Sequence, residues 1–170
     1  MKTFIDAFII EYEEIQGRFQ KEIQKFDEKT AFITASDCMN HAVWLIGHIT
    51  WCEDYLITEI PYNKSFRKKE WDILFGDGSK KKIAENYPSF EKVREHYYNV
   101  HKNIHEFIPS INSNDLSEPN SIPHHYFKSR LSSILHFIEE ISVHLGQLQY
   151  LRKILNAGLH SELYIEHEKK

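Results

Sequence analysis

The sequence predicts an all-α four-helix bundle with a long crossover between its second and third helices. Three observations carry this prediction. Four stretches repeat apolar residues at threes and fours, and no stretch shows the strict alternation of a half-buried strand. The segment after Pro61 is also too long for a tight antiparallel turn, and long crossovers let successive helices of a bundle run parallel.

Each element follows from its own residues. The first helix is expected over about residues 3–26, where Ile5, Phe8, Ile9, Tyr12, Ile15, Phe19 and Ile23 form one apolar face. The second begins at "ASDC", with Ser36 or Asp37 as the capping residue, and stops before Pro61. It is apolar over more than half its circumference, from Met39 through Leu45, Ile46 and Ile49 to Ile57, and is expected to be the most buried. The third starts at "YPSFEKV", with Ser89 as cap, and continues through Val93, Tyr97, Val100 and Ile104 to about Pro109. The fourth runs from around Phe127 to Asn156, where "NAG" supplies a glycine stop.

The 170 residues are expected to form one domain, with 41% hydrophobic and 27% charged residues supporting a core of its own rather than a disordered chain. A formal charge of −4 gives no general attraction for nucleic acid, and "FRKKEW" and "SKKK" read as solvated connector. Asp6, Glu11, Glu13 and Glu14 come too early for a signal peptide, and no 18-residue apolar run exists, so a cytoplasmic protein without a membrane span is expected. Cys38 and Cys52, if both lay on one continuous helix, would be about 21 Å apart, beyond the reach of a disulfide.

Eleven histidines are many, and several fall on helices. In "LHFIEEISVHLGQLQYLRKIL" (135–155), His136, Glu140 and His144 recur every fourth residue within an apolar frame. Residues four apart on a helix differ by about 40° and 6 Å, so Glu140 and His144 present their side chains to one point. A third ligand from a facing helix would complete a metal site, and His48, midway along the second helix, is placed to supply it. Two imidazoles and a carboxylate suit Zn²⁺, Ni²⁺, Fe²⁺ or Mn²⁺ and leave a position open for water or substrate. The same spacing also admits a plainer reading, in which Glu140 pairs with a surface cation and each histidine is a hydrogen-bonded core residue.

These residues also carry a resemblance. "MNHAVWLIGHITWCEDYLI" (39–57) resembles the second-helix motif of the DinB-like (YfiT-like) metal-dependent bundle superfamily, with His48 on its ligand histidine. "YPSFEKVREHYYNVHKNI" is similar to the start of its third helix. "HLGQLQYLRKIL" resembles its fourth-helix signature, a histidine pair followed by Gly-Gln and Leu-Arg. The resemblance implies a metal at His48, Glu140 and His144. Glu140 stands where the commoner pattern has histidine, and the branch that contains mycothiol-dependent maleylpyruvate isomerase uses a glutamate there.

Around the triad, His136 reads either as a partner orienting a ligand or as a plain core or rim histidine, and His41 as a residue at the pocket mouth or in the core. Cys52, one turn after His48, is placed where it could ligate but reads chiefly as a small core hydrophobe, and Gly146 reads as a point of close helix approach. Gln147 reads as a partner of a ligand or as a plain polar helix residue, and Arg152 as an anchor for the helix end. His101, His105, His124 and His125 read as surface or connector residues, with His124 and His125 also placed to border the pocket.

The resemblance implies a metal-dependent transferase, isomerase or hydrolase acting on a small molecule, with a low-molecular-weight thiol as cosubstrate. Trp44, Trp51 and Tyr55 read as core residues first and as an apolar wall for a substrate second. It also suggests a homodimer. The alternative is a non-catalytic bundle, with or without metal, that sequesters a small molecule or serves a stress response.

Overall fold

Phe4–Ile23 forms helix α1, and its threes-and-fours face is the one that disappears into the core: Phe8, Tyr12, Phe19 and Ile23 are all buried. The other long helices are α2 (Ala42–Asp54), α3 (Phe90–Phe107) and α4 (Arg130–Asn156). The computed structural model describes residues 4–34, 36, 39–79, 82 and 84–156, and these are all-helical without strands. Among them no helix is long and apolar enough to cross a membrane.

α2 is the central helix, and every one of its residues except Trp51 is buried. It starts later than the sequence suggests. Its N-cap is His41, whose Nδ1 accepts the Trp44 amide at 3.0 Å, while the Val43 amide donates to the Ala31 carbonyl at 3.1 Å. Ser36 lies in a bend ahead of the helix, and Asp37 and Cys38 fall outside the described residues. The helix start was hard to place because an imidazole held between the rings of Phe32 and Tyr87 does the capping. The late start also removes the single helix on which the separation of Cys38 and Cys52 was reckoned.

The other end of α2 differs too. The chain continues through a π-helical turn, Tyr55–Glu59, into Ile60–Tyr62, and stops only at Asn63, which takes a left-handed conformation with φ 54°. Pro61 therefore lies inside the last turn rather than beyond it. A wider turn, in which the Ile60 amide reaches back five residues to Tyr55, accommodates a ring that would clash in a regular α-helix.

Paired contacts fix the directions. Tyr87, His101 and Phe107 meet His41, Glu53 and Tyr62 in that order, so α3 runs parallel to α2. Trp44 meets His144 while His48 meets Glu140, so α4 runs antiparallel to α2. Tyr12 packs on Phe137 and Glu22 bonds Arg152, which makes α1 parallel to α4 and confirms Arg152 as an anchor. The parallel pair α2 and α3 requires the crossover that the sequence suggested.

That crossover is fastened rather than loose. Arg67, read from sequence as part of a solvated basic run, is buried and pairs with Asp54, Glu59 and Asp72, whereas its neighbours Lys68 and Lys69 are exposed. A single helical turn, Asp72–Phe75, then lays the Phe75 ring over Gly47 of α2. A Cβ at Gly47 would come within 2.3 Å of that ring, so only glycine allows the approach. α3 is capped by Ser89 as expected, its Oγ accepting the Lys92 amide at 3.4 Å. α4 begins three residues later than anticipated, because Ser129 accepts the Ser132 amide and caps there. The glycine expected to stop α4 lies outside the described residues.

Candidate metal centre

The antiparallel packing of α2 on α4 brings His48, Glu140 and His144 together. The His48 and His144 rings lie 4.9 Å apart, centre to centre, nearly at right angles. One carboxylate oxygen, Glu140 Oε2, faces both imidazoles, 3.4 Å from His144 Nε2 and 3.8 Å from His48 Nε2.

The outer nitrogens determine the inner ones. His48 Nδ1 lies 2.7 Å from the Phe75 carbonyl oxygen, which can only accept, so Nδ1 carries the proton. His144 Nδ1 lies 3.0 Å from Gln147 Oε1, and with the amide turned this way the oxygen accepts the Nδ1 proton. In the neutral imidazoles both Nε2 atoms then present lone pairs toward a carboxylate oxygen. Without a cation, a proton placed on Nε2 turns the imidazole into a donor, and such hydrogen bonds, from His144 first and then His48, hold the Glu140 carboxyl well below the usual carboxylate range despite partial burial. Three acceptors pointing into one space require a proton or a cation among them, and neutral imidazole with a fixed outer hydrogen bond is the metal-binding form. The donor set thus fits a divalent transition metal.

The surroundings position the three residues. Phe75, seated on Gly47, delivers the carbonyl that orients His48, and Trp44 stacks on the His48 ring at 4.5 Å. His136 Nε2 lies 3.1 Å from Glu140 Oε1 and its Nδ1 lies 2.9 Å from Glu139 Oε2. His136 therefore occupies the outer carboxylate oxygen and leaves Oε2 turned inward. Trp51 and Tyr55 stack at 4.4 Å farther along α2, and the side chain of Glu140, 28% exposed, is the open edge of the cluster.

Sequence reasoning weighed one residue toward packing rather than ligation. Cys52, one turn after His48, places its Sγ 3.4 Å from His48 Nε2, and the ligand atoms of His48, Cys52 and Glu140 all lie within 4.8 Å of one another. Burial, and then the Glu140 charge, push its thiol well up. The signal was present as a four-residue spacing from His48, but spacing alone does not separate a donor from a buried apolar cysteine.

Other readings change. Gly146 is exposed, and a Cβ there would meet nothing within 4 Å, so it marks no close helix approach. Gln147 serves as the partner of His144. His41 is a buried cap rather than a mouth residue. His101 is not a surface residue: it bonds the buried Glu53 at 2.9 Å, on the far side of α2.

A helical bundle with a candidate metal centre between two antiparallel helices is the class that fold and site define. The sequence matches the family model of the DinB superfamily over residues 11–148, and the chain belongs to that superfamily. Among solved structures it is similar to a conserved protein from Enterococcus faecalis, with a TM-score of 0.67 and 13% identity, over 92% of this chain and 99% of that one. That likeness concerns the fold. No curated protein matches the chain.

Proposed function

We propose that this protein is a metal-dependent enzyme in which His48, Glu140 and His144 hold one divalent transition ion and a low-molecular-weight thiol is the activated nucleophile. Its reaction class is transfer to, or isomerisation of, a small electrophile. The observation that supports this most is the convergence of two Nε2 lone pairs and one carboxylate oxygen, with both outer imidazole nitrogens already committed. A bound zinc, nickel, iron or manganese ion supplies Lewis acidity, lowering the pKa of a coordinated thiol or water so that the nucleophile exists at neutral pH.

The chain's own residues set the conditions. Phe75 and Gln147 fix the faces of the two imidazoles, and His136 restricts Glu140 to one inward oxygen. Trp44 and Trp51 flank His48 and keep water from that side. Substrate approach is left to the Glu140 edge.

Two measurements test this reading. Protein purified without a histidine tag should carry roughly one transition metal per chain, and the metal-loaded protein should conjugate at least one member of a thiol panel to an electrophile, with the activity lost after chelation. A metal-free protein overturns the metal site. Metal without turnover across the panel overturns the enzyme and leaves a sequestering bundle.

A further inference from the structure

We propose that Cys52 is a fourth protein donor at this centre, so that two antiparallel helices each contribute a pair of residues four apart: His48 and Cys52 from α2, Glu140 and His144 from α4. The inference rests on the metal site proposed above and extends its ligand set.

Three observations carry it. Cys52 Sγ lies on the inner side of His48, 3.4 Å from the Nε2 that faces Glu140, and not toward the apolar interior alone. Because His48 Nδ1 is committed to the Phe75 carbonyl, the thiol proton is the one available to the Nε2 lone pair. The sulfur therefore already occupies the space where the ligand atoms of His48 and Glu140 converge, all within 4.8 Å. A cysteine kept only for its volume has no reason to put its sulfur there. Cys52 is also 2% exposed, so this sulfur is a fixture of the interior and no substitute for an incoming thiol.

The chemistry balances without an oxidant. As the cation arrives, the S–H bond breaks, the proton passes to the buffer, and the sulfur lone pair forms the bond to the metal. A thiolate among two imidazoles and a carboxylate selects borderline and soft ions, such as Zn²⁺ and Co²⁺, over Mn²⁺ and Mg²⁺. Catalysis at such a site uses a fifth position, reached from the exposed Glu140 edge, and zinc-like ions accept five-coordination.

Cobalt(II) reads the ligand set directly. Metal-free, untagged protein is titrated with Co²⁺ while visible and near-ultraviolet absorption is followed. Wild type should bind one Co²⁺ with a thiolate-to-cobalt charge-transfer band in the near ultraviolet. Cys52→Ser and Cys52→Ala should lose the band and bind roughly tenfold more weakly or worse, taking the usual cost of disturbing a metal shell as a floor. Cys38→Ser should keep it. The wild-type spectrum decides even if a Cys52 variant folds poorly. Stoichiometric Co²⁺ binding without the band, or a band that survives Cys52→Ala and vanishes in Cys38→Ser, overturns the Cys52 assignment and leaves the triad standing. No Co²⁺ binding at all overturns both.

Discussion

Helix α2 buries two kinds of polar group, and they are satisfied in opposite ways. Toward the crossover, Asp54 is fully buried and receives five hydrogen bonds, from Thr58 Oγ1, Ser65 Oγ, the amides of Phe66 and Arg67, and Arg67 Nη1. Toward α4, His48 sits in a cluster where acceptors outnumber donors. The first arrangement is a fastening: five donors, Arg67 among them, meet the Asp54 carboxylate, and the crossover is pinned to the helix. The second is an unfinished shell whose geometry is held from outside by Phe75, Gln147 and His136. Burial of polar residues therefore does not mark a site by itself. The mismatch of donors and acceptors does.

The largest effect that separates the two regions should come from Asp54→Ala. It leaves the buried Arg67 short of a partner and several donors orphaned, and removing one member of a buried pair costs about 3–5 kcal/mol. Urea unfolding measures the loss, while metal bound per folded chain should stay at the wild-type value. A loss under about 1 kcal/mol would show that Asp54 is not the fastening described.

A smaller effect belongs to His96, which holds the same crossover by accepting the Lys68 amide on Nε2 at 3.2 Å. Burial, aided by the Lys68 charge, lowers its pKa from the usual 6.5 to about 4. Between those values the unfolded chain takes up a proton that the folded chain refuses. This contribution is present above pH 6.5 and is lost as pH falls toward 4, by roughly 3 kcal/mol at most. His96→Gln keeps an acceptor for the amide but cannot titrate, so its stability should fall less steeply across that window. Parallel curves for the two proteins would contradict the assignment.

Much of this was legible in the sequence. Periodicity in residues such as Phe8, Tyr12 and Phe19 revealed the helices, and the four-residue spacing of Glu140 and His144, with His48 midway along the second helix, named three residues that the fold brings together. What the sequence hid depends on contacts between distant residues. His41 caps α2 because Phe32 and Tyr87 hold its ring, and Arg67 is buried because Asp54 lies beneath it. Gly47, not Gly146, is the glycine that a close approach requires, since Phe75 returns to it from twenty-eight residues downstream. Cys52 moves from packing residue to leading donor candidate when α4 places Glu140 opposite.

The central claim is that Glu140 completes a metal shell, and the most direct measurement is the metal content of untagged wild type, Glu140→Gln and Glu140→His, with melting temperatures taken with and without chelator. Glu140→Gln keeps the shape but removes the charge that offsets the cation. It should lose most of the metal and become insensitive to chelator, while its metal-free stability changes by no more than about 1 kcal/mol, since Glu140 is partly exposed. Glu140→His should retain metal, because imidazole restores a donor at the same helical position. Equal metal occupancy in wild type and Glu140→Gln would contradict the account.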